Sequence, residues 1–177
     1  MRPNYVTPAI VLSRTSIGEA SALVTLLTAD FGLLRARAQG VRKSGAKLSH
    51  ALRTLSELDA SLLYGKEGWR LSGASLVEDH FTELPPAARV RAGRISLLLL
   101  RLVHGETKEP ELFRAFRDLL IALKDENEEK QDAAECLAAL RIVNALGLDA
   151  GEVPASIEGN RKQIIARINQ GIAASGL

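Results

Sequence analysis

Apolar and polar residues alternate with a period of two through most of residues 5–77, and recur with a period near 3.6 from about residue 87 onward. The first pattern predicts strands. Residues 5–14 are rich in β-formers (Tyr5, Val6, Thr7, Ile10, Val11, Leu12), and Pro8 among them suits an edge or a bulge. Ile17-Gly18-Glu19 turns the chain into residues 22–28, and the loop Thr28-Ala29-Asp30-Phe31-Gly32 then makes a hairpin with residues 33–41. In that third strand Leu34, Ala36, Ala38 and Gly40 share one parity, while Arg35, Arg37 and Gln39 share the other. Residues 44–52, with Leu48 and Leu52 four apart, predict a short helix. Residues 55–64 alternate again, with Leu58, Ala60, Leu62 and Tyr64 on one face. Gly65-Lys66-Glu67-Gly68 closes a second hairpin, and residues 69–77 form a fifth strand with a bulge at Gly73, where the apolar parity switches. Five short strands with a small helix between the third and fourth predict a Greek-key barrel of the OB type; a five-stranded sandwich shares the pattern.

At Glu83-Leu84-Pro85-Pro86 the period changes, and proline at the first helical positions marks a helix start. The first helix, residues 87–104, is apolar almost all round over 95–100, which predicts the central member of a bundle. Pro110 opens a second helix with a stripe of Leu112, Phe113, Phe116, Leu119, Leu120 and Leu123. The acidic run Asp125, Glu126, Glu128, Glu129 precedes a third, with Leu137, Leu140, Val143 and Leu146 at helical spacing and Gly147 placed as its cap. Asn160-Arg161-Lys162-Gln163 resembles a capping box before a last helix faced by Ile164, Ile165, Ile168 and Ile172. The expected class is α+β: an N-terminal five-stranded OB-type β-barrel over 1–80, followed by an α-helical bundle over 81–177.

Charge changes the picture in one place. The chain of 177 residues carries a formal net charge of only +2, yet residues 30–53 hold six Lys/Arg against one acid. Oligonucleotides on OB folds lie over the second and third strands and the adjoining loops, where this charge falls. Arg35, Arg37, Arg42, Lys43 and Lys47 are therefore expected phosphate contacts, with Arg14 and Arg53 next in rank. The alternative is a solvated strand and loop kept soluble by its charge. Tyr64 and Trp69, at the two ends of one hairpin, are either stacking platforms or packing residues. Aromatic residues make up 4% of the chain, so binding should be led by phosphates and weakly selective for sequence.

Catalytic chemistry finds little footing. His50, His80 and His104 are dispersed, and the single Cys136 excludes an intramolecular disulfide and a cysteine-based zinc site. Glu78-Asp79-His80 is the nearest approach to a metal or acid/base cluster, and its place at the domain junction predicts a solvated turn; a hydrolase would rest on it alone. No glycine-rich phosphate loop precedes a helix. The expectation is no enzyme, no cofactor and no bound metal, with a fold independent of zinc. Residues 95–103, the most apolar stretch, are too short to span a bilayer and contain Arg101, and no leader pattern opens the chain. A soluble cytoplasmic protein is expected.

The order of motifs carries a resemblance. Leu12-Ser13-Arg14, Gly18-Glu19, Leu23-Val24-Thr25-Leu26-Leu27-Thr28, Phe31-Gly32-Leu33, Ala36-Arg37-Ala38-Gln39-Gly40-Val41-Arg42-Lys43, Lys47-Leu48 and Ala51-Leu52 follow one another. Together they resemble the OB-fold domain of the bacterial RecO family, and residues 140–148 (LRIVNALGL) resemble a helix end of its helical domain. The resemblance implies a nucleoid-associated recombination mediator in DNA repair that binds single- and double-stranded DNA and anneals complementary strands. It implies RecR and the C-terminal tail of single-strand binding protein as partners, help in loading RecA, an indirect link to the RecA filament, and no membrane. Arg94, Arg101, Arg114 and Arg117, beside Phe113 and Phe116, are the candidate rim of a groove for that acidic tail; arginines snorkelling over a bundle account for them equally well. Two departures stand out: one cysteine cannot make the four-cysteine zinc site of many family members, and the helical part is shorter than the family's. Outside the family, the same features fit an OB-barrel scaffold whose basic patch binds structured RNA or an acidic protein.

Overall fold

Strict alternation of alanine or leucine with arginine leaves β3 one stable arrangement, with its small apolar face turned inward. In the computed structural model, which describes residues 4–39, 47–106, 108–157 and 159–176 (the side chains of Lys47 and Leu48 excepted), Leu34, Ala36 and Ala38 of β3 (Gly32–Gln39) are buried, and Arg35, Arg37 and Gln39 are exposed. β3 pairs antiparallel with β2 (Ser21–Thr28) and, through residues 36–38, parallel with β5 (Gly68–Asp79). That parallel contact closes the barrel in the order β1-β2-β3-β5-β4. β1 (Asn4–Ile17) is long because it serves twice: residues 4–10 pair with β4 (Ser56–Gly65) and residues 9–17 with β2. Pro8 sits just outside the β1–β2 ladder, where its missing N–H costs nothing there. The short helix α1 (Lys47–Ala51) lies between β3 and β4. This is the closed OB-type barrel rather than the sandwich.

Val11, Val24, Leu26, Leu34, Leu58 and Leu62 fill the interior, all at most 3% exposed. Tyr5, Phe31 and Trp69 pack against that core edge-to-face or tilted, with centroids 5.4–5.7 Å apart. β5 carries two bulges. Ser72 is the extra residue of the first, one position before the expected Gly73, and Val77 is the extra residue of the second, because the register steps from Leu62↔Leu71 to Ser61↔Gly73 and from Leu58↔Leu76 to Glu57↔Glu78. A four-residue helix, α2 (His80–Glu83), follows directly.

The chain forms two compact units, residues 1–83 with 105–108, and residues 84–104 with 109–177. The second is helical: α3 (Pro86–Leu102), α4 (Pro110–Ala122), α5 (Glu128–Ala145) and α6 (Arg161–Ala174). Its central member is α5, which packs against α3, α4 and α6. The expectation of a central first helix fails because Leu97 and Val90 of α3 face outward, at 66% and 59% exposure. Buried Ala138 and Ala139 let helices approach α5 closely where bulkier leucines would not. Gly147, at φ +71°, ends α5 in a Schellman turn, Leu148 N–H donating to Val143 O at 2.9 Å. The capping box before α6 is absent, since the Asn160 side chain makes no cap hydrogen bond. Asn127 does that work for α5, accepting from the N–H groups of Glu129 and Lys130.

Candidate nucleic-acid interface

On the outer face of the barrel Arg37 of β3 stands directly beside Arg70 of β5, since the parallel register pairs them. Strands in register lie about 4.8 Å apart, so the two guanidinium groups share one small patch. Like charges opposite one another weaken a sheet unless an anion lies between or over them. Arg35, two residues back on the same face, is also exposed. Among the described residues none of these three arginines makes a hydrogen bond or ion pair to an acid. Arg37, Arg70, Gln39 and Lys66 line one cleft of about 340 Å³ between the end of β3 and the β4–β5 hairpin, where Glu67 is the lone acid. Arg70 is the residue sequence reasoning missed. Its outward parity in the fifth strand was readable, but nothing in the sequence sets that strand parallel to β3.

The two hairpin aromatics separate in role. Trp69 is half-buried, packs against the barrel core, and donates its indole N–H to Glu106 Oε1 at 2.6 Å. Tyr64 lies against Trp69 edge-on, at 4.9 Å between centroids, yet remains 54% exposed on the cleft wall. Of the two aromatic side chains lining the cleft, its phenol ring is the more exposed to a base.

The remaining predicted cations divide. Arg42 and Lys43 lie outside the described residues, as does the side chain of Lys47. Arg14, half-buried on β1, donates to the Ser49 carbonyl at 3.3 Å and so fastens α1 to the barrel. Arg53 is held by Asp79 Oδ2 at 3.1 Å and Thr82 Oγ1 at 2.7 Å, and sits over the Phe81 ring at 5.7 Å. Both serve the barrel's own structure before any phosphate.

In the helical unit the expected groove loses its floor. Phe113 and Phe116 are 6% and 0% exposed, because the stripe that carries them is the face α4 buries in the bundle. Arg94 forks onto Glu135 at 2.6 and 2.7 Å, a bond that raises the guanidinium above its ordinary pKa, and Arg91 joins the same carboxylate at 2.8 Å. Arg114 pairs with Glu111 within α4, and Arg117 also has a partner. Arg101 is exposed. Cys136 is half-buried, and burial pushes its thiol pKa up, away from reactivity.

A second cluster overturns an expectation. His80 is fully buried rather than part of a solvated turn, and its Nε2 lies 3.4 Å from Glu57 Oε2 and 3.4 Å from Glu78 Oε2. Glu57, which shares the polar parity of Asp59 and Ser61 along the fourth strand, is nevertheless only 5% exposed. The missed signal is the bulge at Val77, which brings Glu78 opposite Glu57 across the β4–β5 ladder.

Comparison with known proteins agrees with the barrel. Residues 1–79 match the family model described as the recombination protein O N-terminal region. The protein named DNA repair protein RecO from Synechococcus elongatus is 36% identical over 121 residues, which are 67% of this chain and 46% of that protein. The protein of the same name from Dehalococcoides mccartyi is 27% identical over 139 residues, 78% of this chain and 54% of its own length. The chain thus spans about half the length of the curated relatives it matches. Among the described residues no helix is long and apolar enough to cross a membrane. With a closed OB-type barrel over the matched residues and relatives that carry one name, the chain belongs to the RecO family.

Proposed function

We propose that this chain is a non-enzymatic DNA-binding protein of repair and recombination, and that single-stranded DNA lies across the outer faces of β3 and β5. The observation that carries the reading is the trio Arg35, Arg37 and Arg70, exposed on one face and without an acidic partner among the described residues. Guanidinium groups set this way neutralise phosphates and release counterions, and Tyr64 at the cleft edge offers a stacking surface to any base. Contacts of this kind position a strand without reading it, which suits annealing of arbitrary complements and binding of duplex as well. RecR, the C-terminal tail of single-strand binding protein and assistance to RecA enter from family membership, with residues 81–177 as the docking half. Phe113 and Phe116 are not part of that docking surface, being interior.

The test is a titration of labelled oligo-dT and mixed-sequence strands at several salt concentrations. About four phosphate contacts correspond to a log–log salt slope near −3. Arg35→Ala with Arg37→Ala should flatten it by about 1.4 and weaken all sequences alike. Unchanged affinity and slope in a normally folded double variant would move the DNA elsewhere and favour an acidic or RNA partner for the patch.

A further inference from the structure

The cleft beside Arg37 and Arg70 holds one group that a purely phosphate-binding surface would not carry. Glu67 lines it together with Arg37, Arg70 and Lys66. Among the described residues Glu67 makes no hydrogen bond or ion pair, although three cations share the cleft with it. A free carboxylate repels phosphate oxygens and so works against the attraction that holds a strand. It gains only from a donor, and in a DNA strand the N–H donors lie on the base edges.

The surroundings bring a base to that carboxylate. Lys66 and Glu67 form the two-residue tip of the β4–β5 hairpin, closed by the pair Gly65↔Gly68, with Gly68 at φ +87° where a side chain would be strained. One pair back, Tyr64 stands opposite Trp69, its ring edge-on to the indole at 4.9 Å. Core packing and the bond to Glu106 fix that indole, so the exposed Tyr64 ring is a supported platform. A base lying on Tyr64 meets Glu67 as the carboxylate of the same cleft.

The four bases answer a carboxylate differently. Guanine alone sets two donors side by side on its Watson–Crick edge, N1–H and the N2 amino group, which match the two carboxylate oxygens. Adenine and cytosine set one amino group beside a ring nitrogen lone pair, and thymine sets one N–H between two carbonyl oxygens. In those three an acceptor faces the second carboxylate oxygen and repels it. Pairing occupies the same edge in a duplex, so only an unpaired guanine offers it.

We propose that this cleft is a one-base subsite for unpaired guanine, with Tyr64 stacking on the ring and Glu67 accepting from N1–H and the N2 amino group. The subsite rests on the DNA face proposed for β3 and β5. It adds base selectivity at one position to a surface whose arginines hold any strand alike.

Fluorescence anisotropy on the full-length chain should compare a short oligo-dT with the same strand carrying one central deoxyguanosine or deoxyinosine. Wild type should bind the guanosine strand on the order of 5-fold more tightly than oligo-dT. Deoxyinosine, which keeps N1–H but lacks the N2 amino group, should lose most of that gain. Glu67→Ala should erase the gain while binding oligo-dT at least as tightly as wild type, since a negative charge leaves the cleft. Tyr64→Leu should weaken both strands by about 5-fold or more, and Tyr64→Phe should keep wild-type binding. Equal wild-type affinity for the guanosine strand and oligo-dT, a gain that survives Glu67→Ala, or unchanged affinity in Tyr64→Leu would overturn the subsite. An unchanged salt slope in Arg35→Ala with Arg37→Ala would remove the DNA face and the subsite with it. A flattened slope there with no guanosine gain in wild type would remove the subsite alone.

Discussion

The barrel and the helical unit use the same residue, arginine, in opposite ways. In the helical unit Arg91 and Arg94 share Glu135, Arg141 pairs with Asp118, Arg161 with Asp132, and Arg167 forks onto Asp149. These cations hold helices together: Arg94 joins α3 to α5, and Arg141 joins α5 to α4. Among the described residues, Arg35, Arg37 and Arg70 on the outer face of the barrel have no such acids. A guanidinium already forked onto a carboxylate has its donors engaged, while one facing water beside a second guanidinium gains by meeting a phosphate. The helical half holds more arginines than the barrel face, yet the anion site proposed above lies on the barrel face. Counting charge over residues 30–53 points to Arg35 and Arg37, and strand pairing adds Arg70 beside them.

Four changes test that contrast, ordered by expected size. Reversing charge at Arg37→Glu with Arg70→Glu should cost on the order of 100-fold in oligo-dT affinity at low salt, read by fluorescence anisotropy, since two contacts become two repulsions. Arg167→Ala removes the bidentate bond to Asp149 and the bond to the Glu152 carbonyl, and should lower unfolding free energy by about 1–2 kcal/mol in urea melts, with DNA affinity unchanged. Acid gives a third readout. Arg161 and Arg167 hold the carboxyls of Asp132 and Asp149 below their ordinary range. Their contribution is complete above the unfolded value of about 4 and is lost as pH falls through the depressed folded values. Stability should therefore drop below about pH 4, and Asp149→Asn should shallow that drop. The smallest effect belongs to Arg53→Ala, in the barrel but paired with Asp79 and Thr82. It should cost at most about 1 kcal/mol in a melt and leave oligo-dT binding alone, because this cation is already engaged.

Period and turn chemistry made most of the fold legible. The alternation of Leu34, Ala36 and Ala38 with Arg35 and Arg37 assigns both faces of β3, and residues 28–32 and 65–68 place the hairpins. What escaped was long-range. Arg70 joins the patch only through the parallel β3–β5 contact, and Glu57 meets His80 only through strand pairing and a bulge. Local patterns say which side a residue faces, not which neighbour it will find there. The same limit misplaced Phe113 and Phe116 as a groove and α3 as the bundle centre: an amphipathic stripe announces burial without naming what covers it.

The most direct test compares two double variants that remove equal charge, Arg37→Ala with Arg70→Ala on the barrel, and Arg94→Ala with Arg141→Ala in the helical unit. Oligo-dT affinity is measured across a salt series, and melting is measured beside it. The account predicts a salt slope flattened by about 1.4 for the barrel pair, with melting unmoved, and an unchanged slope with lowered melting for the helical pair. Equal flattening in both would contradict it, because binding would then follow net charge rather than the unpaired arginines of β3 and β5.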